Sequence, residues 1–232
     1  MSLRDPTRSA GIRRAGRAIV ERRVFELKRE LQQTVQQHDL IGLRQREAVP
    51  ADLMLWGEQP EQKLARGVDA LARMVRHRLS NPPDWLTGVV ERAVNRGLTQ
   101  VAQELKTATD QLDASEVVGF QAMWASNEVE GISSETQRRT ARHVARAIQV
   151  RQTPDFLMRD IRMTLEKITR LRLILLVNTA VVRSVNAGKL FGYEANGITR
   201  VGVRAEYLPQ AHFHDHVLHD KKKRKPRTTA SQ

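Results

Sequence analysis

Apolar residues recur along most of this chain at spacings of three and four, the period of helices with one buried face. Ile12, Ile19, Val24, Leu27, Leu31 and Val35 predict one long helix from Ser9 to about His38. Leu64, Val68, Leu71, Met74 and Val75 predict a second, from about Glu61 to Leu79. Asn81-Pro82-Pro83-Asp84 ends it and opens the next, because proline is tolerated in a first turn and not in a helix interior. The third helix carries Trp85, Val89, Val90, Val94, Leu98, Val101 and Leu105 and extends from about Asp84 to Thr109. A shorter fourth is expected over Asp113 to Ala125, then a loop from Glu128 to Ser134. Ser133 or Ser134 would cap a further helix reaching about Val150.

Thr153-Pro154-Asp155 combines a cap, a first-turn proline and a first-turn acid, and opens a helix that runs to about Thr169. It either continues into the most apolar stretch, which begins at Leu171, or bends before it. Asn196-Gly197 stops that stretch, since both residues accept positive φ. Ile198 to Tyr207 then alternates and predicts a short strand or hairpin arm. Between the first two helices, Gly42, Pro50, Gly57 and Pro60 mark Asp39 to Pro60 as a connector, with Leu53-Met54-Leu55-Trp56 as an apolar anchor. No fixed-period repeat is present.

Composition narrows what such helices can build. Hydrophobic residues are 40% of the 232 and aromatics 4%, so the core is aliphatic and thin. That favours elongated helices packing on neighbours over a compact enzyme. The absence of cysteine removes disulfides, thiol nucleophiles and thiolate metal sites together. The longest apolar run, Leu173 to Val177, is far short of the ~18 residues of a spanning helix. No apolar segment of the secretory kind follows the arginine-rich start, and no membrane association is expected.

Charge is unevenly placed. Of a formal net +13, residues 1–30 supply +5 and Lys221 to Arg227 supply +6, which leaves +2 for the rest. Arg13, Arg14, Arg17, Arg22 and Arg23 are too many for pairing within one helix, and they mark a surface for nucleic acid or an acidic partner. Lys221, Lys222, Lys223, Arg224, Lys225 and Arg227 suit phosphate contact by counterion release, in a tail that should not fold alone. A solubilising tail and a solvated helix face are the plainer readings of the two ends. His212, His214 and His216 alternate, so an extended chain would put three imidazoles on one face, as a divalent metal requires. Four histidines beside a lysine run are more commonly a solvated, weakly metal-sticky segment.

The acids Glu116, Glu128, Glu130 and Glu135 include one close pair, Glu128 and Glu130, but no histidine or further carboxylate lies nearby in sequence to complete a site. There is no phosphate-cradling glycine loop, nucleophile elbow, zinc finger or homeodomain pattern. The sequence therefore points to a protein that is not an enzyme and uses no cofactor. Trp56, Trp85 and Trp124 are packing anchors on this reading.

The stretch Leu171 to Glu206 resembles the C-terminal helix-to-strand element of minor head proteins of tailed phages, the head-morphogenesis family found around the portal. The matching positions are Val177, Asn178, Thr179, Val185, Asn186, Ala187, Gly188, Tyr193, Gly197 and Val201 to Ala205. Two positions depart: Asn178 stands where that family usually has arginine, and Ala180 where it usually has glutamate. Asn178, Thr179, Asn186, Gly188, Tyr193 and Gly197 are the structural motif residues the resemblance implies.

The expected architecture is mainly α: an elongated helical bundle with a small C-terminal β element and a basic disordered tail. Residues 1–8 would be disordered, 9–60 the basic helix and connector, 61–195 the bundle, 196–208 the β element, and 209–232 the His- and Lys-rich tail. The resemblance implies a virion protein made in the bacterial cytoplasm. It would assemble as an oligomer at the head or head–tail interface, against portal or connector ring proteins and packaged double-stranded DNA. A non-specific, packaging-associated DNA-binding protein is the alternative.

Overall fold

Two helices of this protein approach closely enough to touch through their backbones, and the others are arranged around that seam. The computed structural model describes residues 7–37, 60–81, 85–108, 112–150 and 152–198. Among them the chain forms α1 (Ala10–Gln37), α2 (Pro60–Ser80), α3 (Thr87–Leu105), α4 (Ser115–Gln149), α5 (Pro154–Thr164), a π-helical segment (Leu165–Arg170) and α6 (Leu171–Ala195). The protein is mainly helical, as the apolar spacing predicts. The expected strand beyond Ile198, the connector with its Leu53–Trp56 patch, and the His- and Lys-rich tail lie outside the described residues.

The seam joins α3 to α6. A methyl group placed on Gly188 would meet the Val94 carbonyl oxygen at 2.2 Å, and one placed on Gly97 would meet the Val185 carbonyl oxygen at 2.2 Å. No side chain fits in either gap. Gly192 is less tight, with Leu98 and Val101 side-chain atoms at 3.2 Å. Ala180, Ser184, Gly188 and Gly192 follow one another every four residues and are all buried, so α6 presents a strip of small residues down one face. Valines flank the strip: Val89, Val90, Val94 and Val101 on α3, and Val177, Val181 and Val185 on α6, are each at most 1% exposed. Their stiff, branched side chains fill the space beside the line of contact without holding the axes apart.

α1 lies against the same pair. Gly16 sits over Val177, where an added methyl would be 2.5 Å from the valine Cγ1. Val20, Val24, Leu27 and Leu31 then continue α1 into the core beside Leu71, Val75 and Leu79 of α2. Among the described residues no aromatic side chain is fully buried; Trp85, Trp124 and Phe191 pack on the core from its margin. Thr7 is buried as well, and its carbonyl accepts a 2.6 Å bond from Gln100 Nε2 of α3. Thr7 is thus held against α3, a correction to the end of the expected disordered 1–8 segment, whose residues 1–6 lie outside the described residues.

The second correction concerns α4. Residues 128–134 were expected to form a loop between two helices, yet α4 is continuous for 35 residues, roughly 50 Å. Gly131, Ser133 and Ser134 are weak helix formers, and that signal is what suggested a break. Tertiary packing overrides it: Ala125, Val129, Ile132, Thr136, Thr140, Val144 and Ala147 keep helical spacing and are buried throughout. Thr136 also returns its hydroxyl to the Ile132 carbonyl at 2.8 Å.

Between α5 and α6 the chain neither breaks nor continues as a plain α-helix. The π segment inserts there, with Leu165 and Thr169 buried. Thr169 shares a 2.8 Å hydroxyl contact with Thr136, and His143 Nε2 lies 2.8 Å from Thr164 Oγ1, so α4 grips both ends of the transition. α6 ends where Asn196-Gly197 predicts. Gly197 has φ +74°, its N–H bonds the Glu194 carbonyl at 2.9 Å, and the Ile198 N–H bonds the Tyr193 carbonyl at 3.0 Å. That pair of bonds is a Schellman stop.

The seam makes a sharp forecast about methyl groups. Gly188→Ala should lower stability by about 1–3 kcal/mol, because the methyl meets backbone that cannot swing aside. Gly131→Ala, on an open face of α4 with nothing within 4 Å, should raise it by about 0.5–1 kcal/mol. Urea denaturation of the two variants checks both signs; a neutral Gly188→Ala would remove the seam from its central place.

Candidate interaction surface

The arginines of α1 divide into two groups. Arg23 is committed inward: Nη1 donates to the carbonyls of Arg78 (2.8 Å) and Asn81 (3.0 Å), and its guanidinium lies 5.0 Å from the centre of the Trp85 ring. It thereby satisfies the end of α2, where carbonyls lose their helical partners. Arg17 Nε donates to Asn178 Oδ1 at 3.2 Å, tying α1 to α6. Arg13 is half-buried. Arg14 and Arg22 are exposed and make no ion pair among the described residues. Of the five arginines picked out as one basic surface, these two remain available to a partner, whereas Arg17 and Arg23 take part in holding the bundle together.

Elsewhere α1 is laced by ion pairs. Arg78 of α2 donates to Glu30 (Nε to Oε2, 2.8 Å) and to Glu26 (Nη1 to Oε2, 3.3 Å). The bond from Arg78 holds the Glu30 carboxyl below its ordinary range, against a smaller opposing effect of burial. Lys28 pairs with Glu166, and Arg170 with Glu21 at 2.8 Å, so the π segment is pinned to α1 by charge on both sides.

The acids picked out in the sequence have ordinary work. Glu130 pairs with Arg76 at 2.9 Å, and Glu135 with Arg138 and Arg139. Glu128 and Glu130 sit two residues apart on the continuous α4, a spacing at which helix side chains do not face each other. Among the described residues no three His, Asp or Glu side chains gather where a metal ion would sit. His212, His214, His216 and the six basic tail residues lie outside the described residues. No helix among those described is long and apolar enough to cross a membrane.

The family-motif residues also divide. Gly188 makes the seam, Gly197 the helix stop. Tyr193 donates its hydroxyl to Glu104 at the end of α3, and Lys189 Nζ is 3.6 Å from the same carboxylate. This cluster fastens α6 to the far end of α3. Donation to Glu104 is the main reason the Tyr193 phenol is pushed up to about 12, with burial and the Glu104 charge acting in the same direction.

Asn178, Thr179 and Asn186 instead line an open groove of about 690 Å³ between α6 and the start of α4, together with Gln121, Arg183 and Leu190. Arg183 holds its guanidinium 4.4 Å from the Trp124 ring centre, spanning from one helix to the other. The same two helices leave large apolar side chains exposed: Phe120 and Met123 on α4, and Leu175 and Leu190 on α6, are each more than half exposed, and Leu190 lines the groove. Read from sequence, α6 is simply the most apolar stretch, and that reading does not single out this face. The available signal was apolar residues lying off the buried stripe, at Leu171, Leu175 and Leu190. Comparison with protein-family models, with curated proteins and with solved structures yields no match.

The Tyr193–Glu104 bond can be read directly by titration. The chain has two tyrosines, so Tyr207→Phe leaves one phenol to observe. Its absorbance should titrate near 12, and Glu104→Gln should return it toward 10. Because the folded-state value is raised, the bond's contribution to stability is complete below the unfolded value of about 10 and is lost as pH rises toward 12. A midpoint near 10 with Glu104 intact would break the assignment.

Proposed function

We propose that this chain is a structural virion protein of a tailed bacteriophage, a minor head or head-to-tail connector protein that assembles at the portal vertex. The observation that supports this reading best is the division of labour along α6. One face of the motif (Gly188, Tyr193, Gly197) builds the protein's own seam and helix end, and the other (Asn178, Thr179, Asn186) is turned to an open groove. A helix that packs tightly on one side and stays apolar and accessible on the other suits a protein that completes its burial against neighbours.

The two departures from the family pattern fit their surroundings. At Asn178, a guanidinium arrives from α1 through Arg17, so positive charge is present at this point of α6 from a different helix. At position 180 the side chain is 1% exposed within the small-residue strip, and a glutamate would be buried without a partner. On this reading the working surfaces are the groove and the free arginines Arg14 and Arg22. The partners are ring proteins of the portal or connector, further copies of this chain, and packaged DNA. Cross-linking and mass spectrometry of intact particles should join residues 13–23 or the 221–227 tail to the head–tail vertex. If both ends map elsewhere in the particle, the portal-proximal placement is refuted.

The concentration of charge at the two ends favours a second reading, a packaging-associated protein that binds DNA without sequence preference. Its affinity should then fall steeply with salt, and removing Lys221 to Arg227 should flatten the log–log slope by up to about five. No measurable DNA affinity at low salt would eliminate this reading.

A further inference from the structure

We propose that the groove between α4 and α6 is a docking site for an acidic amphipathic helix of another protein: apolar on one face, with glutamate or aspartate along its flanks. The proposal does not depend on the chain belonging to a virion. Its first support is Gln121. This residue is 7% exposed and lines the groove, and its buried Oε1 accepts no hydrogen bond among the described residues. That unpaired oxygen marks the floor of the groove as a place where the polar groups of the bundle are not fully satisfied by one another. The second is shape and polarity. Between Asn178 and Leu190 the groove follows α6 for roughly 18 Å, some three helical turns. Leu190 lines it as an exposed apolar anchor, with Val182 and Ala187 beside it on the same helix. Parallel ridges of this kind receive a helix through residues spaced three and four apart.

Charge selects the occupant. The one charged residue lining the groove is Arg183, and Arg17 adds a second guanidinium where it meets Asn178. No carboxylate lines it. A second copy seated face to face would bring its own Arg183 and Arg17 against these cations, whereas a helix with acidic flanks pairs with them.

The test uses the full chain and two synthetic helical peptides of about 15 residues, long enough for stable helical turns once bound. Both carry leucines at positions 1, 4, 8 and 11; one has glutamates on the flanks of that stripe and the other lysines. By calorimetry the glutamate peptide should bind roughly three- to tenfold more tightly than the lysine peptide, the range expected for exposed charge pairs. Arg183→Glu should reverse that preference, and Leu190→Asp should abolish binding of both. Leu190 is 57% exposed, so the fold tolerates the change, and an unaltered helical signal with an unaltered melting temperature verifies this. Equal affinity for the two peptides, no binding of either, or binding that survives Leu190→Asp would overturn the proposal. So would dimerisation of the protein alone that Leu190→Asp dissolves, since the face would then be a contact between copies.

Discussion

The fold depends on contact between two helix backbones, at Gly97 of α3 and Gly188 of α6. Helices held apart by leucine side chains pack 8–10 Å from axis to axis, with wide tolerance for which residue fills each gap. Where carbonyl oxygens stand against glycine Cα atoms, tolerance vanishes and the relative position of the helices is set by backbone itself. Much of the bundle is attached to this pair, and α2 packs in turn on α1 and α4. α1 crosses it at Gly16 and Val177, Tyr193 and Lys189 clasp its end through Glu104, and α4 closes over it from the side of the groove. The scarcity of aromatic residues in the core follows. A seam this narrow is filled by valine and alanine, and larger rings stay at the margin.

A seam of that kind also settles how α6 is used. With glycine, serine and alanine turned inward, most of its large residues have nowhere to go but the flanks and the outer side. Leu173 and Leu176 are buried ahead of the strip, whereas Leu190, which lies within its length, is exposed beside it. The apolar groove is therefore a by-product of tight packing on the opposite face, and Asn178, Thr179 and Asn186 give it the polar points that fix how something lies in it.

Much of the helical layout was legible in the sequence because its punctuation is chemical. Thr153-Pro154-Asp155 and Asn196-Gly197 act locally, through a fixed φ and an accessible positive φ, and they mark boundaries within a residue or so. Gly131, Ser133 and Ser134 misled because propensity is a local quantity, while α4 is held by residues spread over its whole length. The basic surface of α1 was half legible. Sequence gives the charge of Arg23 and Arg17, but only geometry shows that one reaches the carbonyls ending α2 and the other a side chain 161 residues away. The groove was the least legible feature, since an apolar helix gives no sign of which of its faces will meet solvent.

The π segment carries one further consequence. A π turn is an α-helix that has absorbed a surplus residue, and here that surplus sets the phase between α5 and α6. Each residue of an α-helix turns the chain by about 100°, so dropping one anywhere between Leu171 and Ser184 would swing Gly188 and Gly192 off α3 and onto another side of the bundle. Within Leu165 to Arg170 the same loss can be absorbed by relaxation to ordinary α geometry, with the faces on either side still in step. The run of more than forty helical residues from Pro154 to Ala195 thus contains a short stretch where its length is negotiable, set among residues where it is not.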